Sequence, residues 1–210
     1  MLVISSLNKL WTYMISELPG CETPLAYQEL RRAMVEFFDQ TEVWEYTPAA
    51  LDTTVDQTDF TPIITWDAWI KRVLWAKIDN NAVPMDTSYD GVAGMQVIDN
   101  RTIRLHANLA PTKASTGSTD LEDGFACKLV LVPIHGSSEL PEAFLDRWAE
   151  AITAGAMASL MRMPKPYRWS NLPMSTFYAQ KFDRAKQEAK NAKIKQQRGV
   201  NLRIKPRRWV

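Results

Sequence analysis

Cysteine and histidine are scarce in this 210-residue chain, with two of each. Cys21 and Cys127 stand far apart, in neither metal-ligand nor redox spacing, which argues against a disulfide framework and fits a reducing compartment. His106 lies in an alternating segment and His135 beside Gly136, and neither has a second histidine or cysteine at ligand spacing. No metal or other cofactor is expected. The eight glycines form no GxGxxG and no phosphate-binding loop, and GxSxG and HExxH are missing as well. Acid pairs such as Asp52 with Asp56, or Glu122 with Asp123, read as solvated loop charges. Catalytic activity is therefore not expected. Long apolar runs are lacking too. The start, MLVISSLNKLWTYMI, has no basic leader, no long apolar stretch and no small-residue cleavage site, so neither export nor membrane insertion is expected.

Apolar residues make up 46% of the chain, enough to bury a core in one domain or two small ones. Charge is divided unevenly. The net value is +1, yet residues 162–210 hold 14 of the 25 Lys and Arg against only two acids, Asp183 and Glu188. That segment carries about +12, and the preceding 161 residues, with 11 bases and 22 acids, carry about −11. Such asymmetry predicts an acidic partner surface for the tail. Eight tryptophans stand at positions 11, 44, 66, 69, 75, 148, 169 and 209. Most are expected in the core or at its boundary. Trp209, behind Arg207 and Arg208, is expected to anchor on a neighbouring protein.

Helical periodicity opens the chain. Leu7, Leu10, Trp11, Met14, Ile15 and Leu18 predict a first helix over 5–17, stopped by Pro19-Gly20. Thr23 reads as the cap of a second helix with Pro24 in its first turn, and Leu30, Met34, Phe37, Phe38 and Thr41 form its apolar face to about Val43. From Trp44 to Ile134, β-branched and aromatic residues set between Asp, Asn, Thr and Gly clusters read as strands and long loops. One strand ends before the turn Asp79-Asn80-Asn81, a second alternates over 102–106, and a third places Phe125, Cys127, Leu129 and Leu131 on one face. The polar stretch 111–123 between the last two reads as a long exposed loop. After Pro141, a stripe from Phe144 to Leu160 with small residues over 151–159 predicts a helix closely packed along one side. A fourth helix begins near 171–173 and reaches Arg198. Beyond Phe182 its apolar seam is thin, so its second half is expected to project from the body as a basic arm that continues into an extended tail after Gly199.

The expected class is α+β: a helical bundle of about four helices, two N-terminal and two C-terminal, with an inserted β-rich domain and an extended basic C-terminal tail. The divisions fall at 1–43 and 137–198 for the helices, 44–136 for the β insertion and 199–210 for the tail.

The run LPGC at 18–21, the helix LRRAMVEFFDQTEVW at 30–44, the segment from Leu140 to Lys190 with its Pro- and Trp-containing corner, and the ending LRIKPRRWV resemble the head-to-tail adaptor, or connector, proteins of tailed bacteriophages. The similarity covers 90 to 100 residues, essentially the helical parts. It implies a virion neck protein assembled in the host cytoplasm as a ring, usually of twelve copies. Such a ring binds beneath the portal protein, carries a tail or nozzle protein below, and passes double-stranded DNA without sequence-specific binding. The portal- or neighbour-binding residues would be Lys186, Lys190, Lys193, Lys195, Arg198, Arg203, Lys205, Arg207, Arg208 and Trp209. Lys113, Ser115, Thr116, Gly117 and Ser118 would meet the next tail component. The rival expectation is a nucleic-acid-binding module that uses the basic C-terminal helix.

Overall fold

The computed structural model describes residues 6–84, 94–164 and 167–198. Over these residues the fold is α+β, with four α-helices and two antiparallel sheets. Helix α1 (Ser6–Thr12) is shorter than expected, because Tyr13 and Met14 donate to Leu10 and Trp11 three residues back. These tighter bonds end the α-helix, and Ile15–Glu17 follows as a separate 3-10 turn. Helix α2 (Thr23–Thr41) starts one residue before the expected position. Glu22 occupies its N-cap without a side-chain cap bond, so Thr23 is helical rather than capping, while Pro24 sits in the first turn. At the other end Glu42 takes a left-handed conformation (φ 54°) and donates its N–H to the Phe38 carbonyl.

The strands are β1 (Glu45–Tyr46), β2 (Asp59–Phe60), β3 (Ala68–Ile78), β4 (Asn81–Ala82), β5 (Met95–Ile98), β6 (Thr102–Leu105) and β7 (Phe125–Pro133). One sheet has the order β1-β7-β3-β4 and the other β2-β6-β5. Asp79 and Asn80 both adopt positive φ (47° and 63°), the geometry of a two-residue hairpin turn between β3 and β4. Register shifts after Ile70 and after Val73 bend β3 against β7. β7 is buried on both faces except at half-buried Lys128. Phe60 of β2 stacks on Phe125 at 4.2 Å between centroids and joins the two sheets.

Helix α3 (Glu142–Met161) is central to the helices, touching α1, α2 and α4 (Leu172–Arg198). Its residues 151–158 are buried on every side. Asn171 caps α4 by accepting the Met174 N–H at 3.2 Å. Phe37 of α2 meets Phe38, Trp148 and Phe182 within about 6.2 Å, so three helices share one aromatic cluster. The core is continuous from these rings through Trp44 to the sheet residues Ile70, Leu129 and Leu131. With α2 lying against β7, the β region is docked on the helices through that core rather than budding from them. Among the described residues, no helix is long and apolar enough to cross a membrane.

Candidate functional site

Helix α4 carries the expected contact residues, and its 3.6-residue period divides them between two faces. Lys186, Ala189 and Lys193 recur at i, i+3 and i+7 and share the inward face. Ala189 is fully buried and Lys186 only 7% exposed. The Lys186 ammonium lies 2.9 Å from Glu36 and 2.8 Å from Asp183, above the Phe182 ring. Burial works to lower its pKa, but the hydrogen bonds and charges of Asp183 and Glu36 prevail and raise it above the ordinary lysine value. Lys193 donates to the Glu42 carbonyl at 2.7 Å and lies 3.3 Å from its carboxylate. The second half of α4 therefore does not project. It packs along α2 as far as Lys193, and Lys186 and Lys193 are spent holding it there, which corrects the expectation of a free arm over this stretch.

Glu42 is the hub. Arg72 of β3 reaches it at 2.6 Å, Lys71 at 3.5 Å and Lys193 at 3.3 Å. Burial pushes this carboxyl up, but hydrogen bonds and charge from Arg72 and Lys193 outweigh it and hold the pKa below the ordinary 4.5. The stabilisation this gives is complete above pH 4.5 and is lost as the pH falls through the depressed folded value. Replacing Glu42 with Gln should lower stability at neutral pH by about 1–2 kcal/mol, since three cations lose a charged acceptor at a partly buried site. Urea midpoints compared at neutral pH and at an acid pH below the depressed folded value, where the wild-type carboxyl is protonated too, should show that difference shrinking. An equal difference at both pH values would show that the ion cluster contributes nothing.

Lys190 is half-buried and Lys195 exposed, and among the described residues neither has an acidic partner. Arg198 ends α4. Arg203, Lys205, Arg207, Arg208 and Trp209 lie outside the described residues.

The segment 111–123 is also less free than expected. Ser115 exchanges backbone bonds with Thr53 (2.8 and 3.1 Å), and its hydroxyl meets that of Thr53 and donates to the Asp79 carboxylate. Gly117 donates to Asp52 at 2.8 Å and lies so close to the Ala50 and Leu51 backbone that no side chain fits. The Ser118 hydroxyl accepts the N–H groups of Glu122 and Asp123, each at 3.2 Å. Ser115, Gly117 and Ser118 thus frame the loop, whereas Lys113 and Thr116 face solvent.

No known protein family matches the chain, and no curated protein is significantly similar to it.

Burial pushes the Cys127 thiol up to about 12, so it stays protonated at neutral pH, and burial also raises Cys21. Burial and the bond to Glu17 push Tyr178 up to about 12. Among the described residues no group of His, Cys, Asp and Glu is placed to hold a metal ion. Two surface grooves went unseen in the sequence. One, about 610 Å³, lies between α1, α3 and α4 over Leu10, Met14 and Met157. The other, about 440 Å³, lies where α3, α4 and β7 meet, and Arg147 borders both.

Proposed function

We propose that this chain is a structural head-to-tail adaptor of a tailed bacteriophage, one copy of a ring, usually of twelve, that binds the portal protein above and a tail or nozzle protein below. Its place is the virion neck, after assembly in the host cytoplasm, and double-stranded DNA passes through the ring without being read. The resemblance of the helical segments to that family supports the reading, as does the division into a helical body, an inserted β-rich region and a basic tail.

The observation that carries it is the fate of the lysines on α4. Lys186 and Lys193 fix the helix to α2, so the chain beyond Arg198 leaves from a firmly held root. Lys190, Lys195 and the four bases of 199–210 remain to meet an acidic partner, here the portal or an adjacent adaptor, with Trp209 as an apolar anchor. A heterologous contact repeated with the right rotation closes a ring. For the contact with the next tail component, Lys113 and Thr116 are presented on the frame built by Ser115, Gly117 and Ser118.

Deleting residues 199–210 should abolish assembly with a portal ring while the circular dichroism of the body stays unchanged. Electron-microscope images of the wild-type complex should show twelvefold symmetry. Portal assembly undiminished by the deletion would reject the reading. The rival, a nucleic-acid-binding module, loses two of its phosphate-binding candidates to the pins at Lys186 and Lys193. It would prevail if the isolated chain bound DNA at micromolar concentration with a steep salt dependence.

A further inference from the structure

The groove between α3, α4 and β7 has an apolar floor and a basic rim. Phe144, Trp148, Ala189 and Ala192 supply the floor. Lys128, Arg147 and Lys193 stand around it against one acid among the described residues, Glu45. Lys128 is paired with Glu45 at 2.6 Å and Lys193 with Glu42, which leaves Arg147 as the cation with no acidic partner among the described residues. Its guanidinium is exposed and lies 4.9 Å from the centroid of the Trp148 ring. A planar fork held over an aromatic face is well suited to receive a carboxylate.

The chain itself contains a matching surface. Asp120, Glu122 and Asp123 are three exposed carboxylates in four residues, and no cation among the described residues pairs with them. Leu121 between them takes a left-handed conformation (φ 59°), a backbone region that L-residues rarely adopt. Strain of this kind clusters where a loop has a task. The loop is held in shape by Ser118 and is tied at its base by reciprocal bonds between Asp79 and Gly124. Lys128 lies three residues beyond the start of β7 at Phe125, about 10 Å at strand rise, and no carboxylate of the loop pairs with a groove cation among the described residues.

We propose that copies of this chain associate head to tail, with the acidic loop 120–123 of one copy seated in the groove between α3, α4 and β7 of the next, its carboxylates on Arg147 and its leucine over the apolar floor. Charge complementarity selects this occupant. The tail 199–210 carries four basic and no acidic side chains, so it offers the unpaired Arg147 no side-chain carboxylate. The two surfaces lie on different parts of one chain, so the contact is heterologous and propagates into a ring when its rotation closes. The loop is the charged anchor of a larger contact, since a stable interface buries roughly 800 Å² on each partner.

The contact rests on the reading of the chain as a ring subunit, and the two can be tested apart. Sedimentation velocity and native mass spectrometry of the full chain across the micromolar range should show self-association that weakens as salt is raised. Arg147→Glu, and separately the double variant Asp120→Lys with Glu122→Lys, should each weaken association about tenfold or more. All three positions are exposed, so folding should be unaffected. Mixing the two variants should restore association, because each reversed loop then meets a reversed groove and each native loop a native one. A monomeric wild type, an Arg147→Glu variant that associates normally, or a mixture that stays apart would overturn the proposal. Portal-bound rings formed as readily by Arg147→Glu as by the wild type would sink the contact and leave the adaptor reading standing. Head-to-tail association by a chain with no affinity for a portal ring would do the opposite.

Discussion

Replacing Gly155 with Val should cost about 3 kcal/mol of stability and lower the melting temperature by roughly 6–12 °C. Gly155 lies in the buried middle of α3, where α2 and α4 approach from two sides. A Cβ built there falls 3.0 Å from the Ala33 Cβ and 3.0 and 3.1 Å from two ring atoms of Phe182. Ala33 is small and fixed to the α2 backbone, and Phe182 is held against Phe37, so neither neighbour has room to yield. A branched side chain must push α2 or α4 away. Gly155→Ala provides the control. Its single methyl needs shifts of a few tenths of an ångström, and the gain in helix propensity, about 1 kcal/mol, opposes that cost, so it should stay within roughly 1 kcal/mol of wild type. Urea midpoints with unchanged slopes read both values. A valine variant as stable as wild type would mean that the three helices do not meet at this residue.

That crossing also shows how far periodicity reaches. The apolar face of α2 was legible, because Leu30, Met34, Phe37, Phe38 and Thr41 recur at helical spacing and all are buried. The close approach along α3 was legible from its small residues. Alternation identified β6, where Ile103 and Leu105 are buried, and the turn signal Asp79-Asn80-Asn81 marked the end of β3, though not Asn81 as the start of β4. The break after Thr12 was not legible, since Met14 and Leu18 keep the helical spacing while the backbone tightens. A periodic pattern records which side chains face the core and not which hydrogen-bond ladder carries them there.

The candidate site was legible as charge and illegible as geometry. Lys186 and Lys193 look like solvated lysines beside a thin alanine seam. Their partners, Glu36 and Glu42, lie about 150 residues earlier in the chain. Alanine was the available signal: its small side chain lets α4 lie close to α2, and Ala189 is completely buried there. Segment 111–123 was legible as an exposed loop, but its fastening was hidden for the same reason. Its polar groups bond to Asp52, Thr53 and Asp79, so a composition that suggests exposure belongs to a loop fastened at several points. Nothing in the sequence marks Arg147, whose significance comes only from the grooves that α3 and its neighbours create around it.

Gly124→Val should be at least as damaging as the change at Gly155, costing about 3 kcal/mol or more through two separable causes. The first is conformational: Gly124 has φ +77°, a region that costs an L-residue about 1–2 kcal/mol. The second is steric. A Cβ there would run into the Leu51 carbonyl oxygen and come within 2.7 Å of the Gly117 Cα, and both obstacles are backbone. Neither can swing aside as a side-chain tip would. Relief requires parting the Leu51–Phe125 bridge, whose two bonds measure 2.8 and 2.9 Å, or the Asp79–Gly124 bonds beside it. Gly20 separates the causes, because its φ is +83° yet nothing lies within 4 Å of its missing Cβ. Gly20→Val should therefore show the conformational penalty alone, about 1–2 kcal/mol. Amide exchange at Leu51, Asp79 and Phe125 should accelerate in the Gly124 variant and remain slow in the Gly20 variant. Equal losses at the two positions would leave backbone conformation as the whole cause and remove the close contact between Gly124, Gly117 and Leu51 as what holds the acidic loop in place.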